Sequence, residues 1–332
     1  MKRFLTICLV YSLLQACSSN QKPPIDPPPA PPVDTNYLAT GWQMVQVTSA
    51  PLYDISLIDQ NNMVTVSPFP IEIQGSINGG SNWSQLPIYS IINNIITTSD
   101  NSLHWTTAQP NDRYIGRYKN GVKDSVLLAN HSSDIFFLDS LNGYTSLTDG
   151  SGLARTINGG TSWQVVNTGL AVAASSHYSN LAFLDSNNAI LAWQNSIYFT
   201  HAGINSWTAS QITNAPTSTY FNTTLAMPSA DRQYAGFSNG NVYRSADGGQ
   251  TFQPLPIPTQ DANKNMWLDL EFLDPDNGYA CYNDLILHTA NGGAKWDTAV
   301  YVKGKQFIEL DFSDPNHGAA CTGQGAVYLY KK

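Results

Sequence analysis

From about residue 40 onward, apolar residues come in short runs cut by Asp-x-x-Asn, Asn-Gly and Gly-Gly clusters, a pattern that predicts short strands joined by tight turns. One eight-residue turn recurs as SINGGSNW (76–83), TINGGTSW (156–163), THAGINSW (200–207), SADGGQTF (245–252) and TANGGAKW (289–296), and the last four start 44, 45 and 44 residues apart. A worn copy, YKNGVKDS (118–125), lies near the middle of the 80-residue gap, and TNYLATGW (35–42) reads as another at the front; TSDNSLHW (98–105) falls out of phase and is set aside. A second motif precedes these boxes: LIDQNNMV (57–64), FLDSLNGY (137–144), FLDSNNAI (183–190), FLDPDNGY (272–279) and FSDPNHGA (312–319). Each unit thus holds an apolar strand ending in Asp, a turn at Asn-Gly, two further strands, the box as a turn, and a last strand opened by Trp. A period of 40 to 45 residues with four strands predicts an all-β, seven-bladed β-propeller with four-stranded blades. The final unit supplies only three strands, and Trp42 to Val47 has the character of its missing outer strand. Pairing the two closes the ring and removes the open edges of a free sheet.

Recurrence also sorts the polar residues. A ligand loop is needed once, whereas the box returns in blade after blade, so Asn78, Trp83, Asn158, Trp163, Trp207, Asp247, Phe252, Asn291 and Trp296 are assigned to architecture. The Asn or Asp at the third position is expected to accept backbone N–H groups two residues on, the glycines to take positive φ, and the aromatic at the eighth to pack over the turn. Asp59, Asp139, Asp185, Asp274 and Asp314 share one repeat position and read as turn acids; Arg117, Arg155 and Arg244 share another, directly before the box. The box resembles the Asp-box, or bacterial-neuraminidase repeat. The two motifs together are similar to photosystem II stability/assembly-factor-like propellers and, more distantly, to sortilin-type propellers. That resemblance implies a propeller over roughly residues 40 to 332 and, on its assembly-factor side, a binding role. Sialidases use three arginines, and only Arg113 and Arg232 remain unassigned here, so sialidase activity is disfavoured. No G-x-S-x-G, P-loop or C-x-x-C occurs and the six histidines lack metal-ligand spacing, so no catalytic residue, metal or cofactor is assigned and enzymatic activity stays open. Cys281 and Cys321 occupy equivalent sites on neighbouring blades, where rotation keeps equivalent side chains apart; buried free thiols are expected rather than a bridge.

The amino terminus changes the picture of where the propeller sits. Lys2 and Arg3, an apolar run from Phe4 to Leu14 and then Leu14-Gln15-Ala16-Cys17 form a secretory leader too short to span a bilayer. The pattern resembles a bacterial lipobox, with Gln15 where a small residue is usual. Residues 1–16 are read as signal peptide, 17–34 as lipidated Cys17 plus a Pro-rich tether, and 35–332 as the propeller. The family pattern implies an outer-membrane protein held by its lipid anchor alone, facing the periplasm or the cell surface. Loss of Lys2 and Arg3 takes two of the 16 basic residues and none of the 24 acids, so the net charge moves from −8 to −10 and nucleic acid is an unsuited partner.

Binding is expected on the face opposite the boxes, made by the irregular loops leading into each blade and the second-to-third-strand turns. Tyr89, Tyr178, Tyr220, Trp267, Phe69 and Trp193 lie there, as sugar-stacking or protein-anchoring surfaces or as caps on the core. One further column stands out. Three residues before the Phe of the F-x-D motif come Asp54, Asp134, Asn180, Asp269 and Glu309, with Asn93 and Asn222 from the two degenerate blades. All are polar in otherwise apolar inner strands, so they should ring the channel mouth. They suit a cation, a partner's basic side chain or sugar hydroxyls, or else bond the backbone of their own loops. The expected function is a non-catalytic, membrane-anchored binding or assembly scaffold, a monomeric propeller engaging an extracytoplasmic protein. The alternative is a glycan-binding protein or glycoside hydrolase, for which Asp112 and Glu72 are the loop acids to nominate.

Overall fold

The structure, a computed structural model, describes residues 36–107, 113–128, 130–147, 152–170, 179–193, 195–217, 222–257 and 268–332. Cys17, the leader and the tether lie outside them. Seven sheets of antiparallel blade strands form a ring: blade 1 (54–85), blade 2 (92–127), blade 3 (132–166), blade 4 (179–209), blade 5 (222–255), blade 6 (268–301) and blade 7 (307–331). Blade 7 takes its fourth strand from the front of the chain, with Trp42 opposite Tyr330 and Gln46 opposite Ala326. This is the ring closure that the repeat count predicts.

The front box copy is corrected by the structure. Tyr37–Leu38 is no turn but a fifth strand on the outer edge of blade 6, while Trp42 does fill the eighth-position role, 7% exposed against Phe312, Tyr279 and Tyr330. Gln211–Ile212 similarly runs parallel to the outer strand of blade 5.

Among the described residues, four of the seven blade interfaces carry a stacked aromatic pair. The Phe of F-x-D stacks on a ring from the second strand of the preceding blade: Phe137 on His104 (4.2 Å), Phe183 on Tyr144 (4.2 Å), Phe272 on Tyr234 (3.5 Å) and Phe312 on Tyr279 (4.5 Å). Burial between these rings lowers the His104 pKa to about 4, so it packs as a neutral aromatic. The glycines of these turns, Gly143 and Gly278 after Asn and Gly318 after His317, serve the same contact. A Cβ on Gly143, Gly278 or Gly318 would come within 2.8, 2.5 or 2.4 Å of its own blade's Phe ring, and none of the three has positive φ; they are there for close packing, not for turn geometry.

The turn acids behave as expected: Asp139 Oδ1 accepts the Leu141 and Asn142 N–H groups, and Asp59, Asp185 and Asp274 repeat the arrangement. Boxes close on themselves, with one revision. The opening hydroxyl, Thr156, accepts the Gly160 N–H (3.0 Å) and donates to Asn158 Oδ1 (2.9 Å), which in turn accepts the N–H of Ser162, four residues on rather than two. Asp247 treats Thr251 alike, and Gly159 and Gly160 have φ of 64° and 76°. Cys281 and Cys321 are free, buried thiols.

Candidate functional site: the channel mouth

The innermost strands of the seven blades pack side by side around the channel. An inner strand has no ladder partner on its channel edge, so some of its N–H groups need acceptors from elsewhere. The polar column supplies them across blades. Asp54 Oδ2 accepts Ile95 N–H (2.7 Å), Asp134 Oδ2 accepts Leu181 N–H (2.9 Å) and Asp269 Oδ2 accepts Leu310 N–H (3.0 Å). Asn93 Nδ2 donates to Ser133 O (2.6 Å), and Asn180 Nδ2 to both Asn222 O and Oδ1 (2.9 Å). For these five the partner is the next blade, whereas Asn222 Nδ2 donates to Thr224 O (3.0 Å) and Gly236 O (2.9 Å) of its own blade.

Two residues further along, a second tier repeats the device. Asp311 Oδ2 accepts Leu57 N–H (2.6 Å), Ser56 Oγ accepts Thr97 N–H (3.0 Å) and Glu271 accepts from Phe312. Sequence reasoning missed Glu271 and Asp311. The signal was present, because each is an acid directly before the motif Phe, where blades 3 and 4 carry Phe136 and Ala182.

On the loop-rich side these strands open into a cavity of about 520 Å³, lined among others by Asn93, Asp134, Asn180, Asn222, Asp269 and Glu309. Asp54 sits beneath it, 1% exposed, and its neighbour Tyr53 takes the lining position. No Lys, Arg or His is among the described lining residues. Asp134, Asp269 and Glu309 thus share the cavity wall, and Asp54, Glu271 and Asp311 lie buried close enough to interact with them. Burial raises them, and neighbouring carboxylates add to it for all but Asp269: Asp134 to about 7, Asp311 to about 6, and Asp54, Asp269, Glu271 and Glu309 upward as well. Two oxygens remain without a hydrogen-bond partner, Asp54 Oδ1 and Asn94 Oδ1. Among the described residues no group of three or more His, Cys, Asp or Glu is placed to hold a metal ion.

The aromatic predictions divide. Phe69 is 70% exposed on the cavity rim and Tyr89 is 74% exposed, whereas Trp193 is buried at 5%, closing the strand Ala189–Trp193, and packs instead of presenting a face. Tyr178, Tyr220, Trp267 and Asp112 lie outside the described residues. Glu72 accepts the Thr48 hydroxyl (2.6 Å). Tyr53, 45% exposed at the rim, was not singled out from sequence although it directly precedes Asp54.

No protein-family model and no curated protein sequence matches the chain. Among solved structures it is similar to YCF48 bound to D1 peptide (TM-score 0.68, 16% identity, covering 89% of this chain and 97% of that one). It is also similar to YCF48 from Cyanidioschyzon merolae (0.65, 15%, 88% and 99%) and to streptogramin B lyase (0.67, 13%, 88% and 98%). At these identities the shared property is the propeller fold.

Proposed function

We propose that this protein is a non-catalytic, extracytoplasmic binding scaffold, anchored to the outer membrane by lipid on Cys17, that engages a protein partner through the loop-rich face. The observation that carries the reading is the cavity itself: acid-rich, free of cations among its described lining residues, and rimmed by the exposed rings of Tyr53 and Phe69. Such a socket suits an apolar-stemmed basic side chain, whose charge the ring meets and whose methylenes the aromatics cover. A related architecture holds a peptide, as the YCF48 structure with D1 peptide illustrates. The Asp-box resemblance of the repeat and the lipobox-like leader support the family and the location, respectively.

Two measurements test the reading. A palmitate analogue should label the protein and fail to label Cys17→Ala. A peptide array probed with the ectodomain should favour Lys- or Arg-bearing peptides over their acetyl-lysine or citrulline counterparts, and Asp134→Asn/Asp269→Asn should erase that preference. Binding to a glycan array with no peptide preference would favour the glycan alternative.

A further inference from the structure

The boxes hold a second asymmetry, on the opposite face and independent of the channel. The arginine before a box reaches the box of the next blade: Arg117 donates to Gly159 O (3.1 Å) and Arg244 to Gly292 O (2.9 Å). Arg155 occupies the same repeat position, and its target would be Gly203 O in the box THAGINSW. That box is degenerate. In the other boxes the opening hydroxyl donates to the third residue, as Ser76 does to Asn78, Ser245 to Asp247 and Thr289 to Asn291. Ala202 offers no acceptor, so Thr200 donates to Gly203 O instead (2.8 Å). Ile204, standing where the other boxes have a second glycine, fills the space between the blades.

Arg155 is left with the face of Tyr144 (5.8 Å) and a buried Nε without a partner. It lines a pocket between blades 3 and 4 with Gln164, Val165, Val166, Ile204 and Asn205. The strand Gln164–Val166 is the outer edge of blade 3, and Val165 is 51% exposed on it. On blades 5 and 6 the same edge is covered by a short strand of the chain itself. The Gln164 and Asn205 side chains make no hydrogen bond within the described protein and stand free for a peptide backbone.

We propose that this pocket is a second binding site, taking the carboxylate of an Asp or Glu side chain on Arg155 from an extended peptide laid along Gln164–Val166. The apolar wall of Val165, Val166 and Ile204 selects apolar neighbours for that acid. The chain's net negative charge opposes acidic ligands at a distance, so recognition rests on contact with Arg155.

The test uses a random-peptide display library on the full chain, with Asp134→Asn/Asp269→Asn run in parallel to identify peptides bound at the channel. Enriched peptides should carry Asp or Glu between apolar residues and lose about tenfold or more in affinity on Arg155→Gln. Ala202→Asn/Ile204→Gly restores the acceptor for Thr200 and returns Gly203 O to Arg155; it should abolish the same binding while keeping the arginine, and it serves as the test if Arg155→Gln fails to fold. The proposal is overturned if no acidic peptide is enriched, if acidic peptides bind Arg155→Gln as tightly as the parent, or if their binding survives repair of the box.

Discussion

Both ends of the propeller carry polar residues at one position per blade, and they differ in where the hydrogen bonds go. In the boxes of blades 1, 3, 5 and 6 the opening hydroxyl and the third residue bond within eight residues: hydroxyl to amide or carboxylate, and that oxygen to an N–H four residues on. At the channel mouth Asp54, Asn93, Asp134, Asn180 and Asp269 reach the next blade, and a carboxylate that needs only one oxygen for the bond brings a second, ionisable oxygen into a space without a counter-ion. Asn93 and Asn180 tie neighbouring blades without any ionisable group, by donating to carbonyls of the next blade. The acids therefore add ionisable oxygens to the inter-blade bonds, and a cationic ligand that draws them into the charged form can use them.

The strongest way to break the comparison is to damage a box and look for a loss of binding. Trp296 is fully buried, edge-on to Phe272 at 6.1 Å, so Trp296→Ala should cost about 3–5 kcal/mol in urea unfolding. Peptide affinity of the folded fraction should not change. A variant of parental stability that no longer bound its peptide would make the box a site and erase the distinction.

The next effect sharpens the comparison through pH. Asp134 and Asp311 hold their protons to about 7 and about 6, well above an unfolded carboxyl near 4. The folded state binds more protons in that window, so stability should fall as pH rises from about 4 to about 7, by up to about 1.4 kcal/mol per pH unit for each such group. Binding of a Lys or Arg peptide should change the opposite way and tighten as the ring ionises. Asp54→Asn/Asp134→Asn/Asp269→Asn keeps an acceptor oxygen at each site and removes the charge. It should flatten the pH profile, leave the protein more stable than the parent at pH 8, and weaken the basic peptide about tenfold or more. A triple variant that melts earlier at every pH and binds normally would make the ring purely structural.

How much of this could be read from sequence follows from the same contrast. Blade number, ring closure and the turn acids were legible because their bonds close locally and recur, so Asp139 and Asp185 announce themselves by position. The ring was legible as a column of polar residues in apolar strands, but its acceptor role was not. Nothing near Asp54 in sequence points to the N–H of Ile95, one blade away. Trp193 was left between ligand surface and core cap because a residue at the end of a strand faces either the loop surface or the blade interface, and the repeat does not say which; the structure buries it. The freeing of Arg155 depended on a hydroxyl turning toward Gly203 when Ala202 replaced the usual acceptor, a local change with its effect in another blade.

The smallest effect tests the local side of the comparison by the sign of its pH dependence. Asp139 is exposed, and N–H bonds from Leu141 and Asn142, with the Asn142 amide, hold its carboxyl below the usual range. A depressed folded pKa contributes stability that is present above the unfolded value near 4 and is lost as pH falls through the folded one. Asp139→Ala should therefore cost about 1 kcal/mol at neutral pH, where the turn loses its acceptor, and much less at pH 3, where the parent carboxyl is itself becoming protonated. The ring acids have the opposite sign. Paired melting curves of Asp139→Ala and the parent at pH 7 and pH 3 would show the gap between them closing toward low pH, and a gap that instead widened there would mean that the turn acid, like the ring, is held in its neutral form.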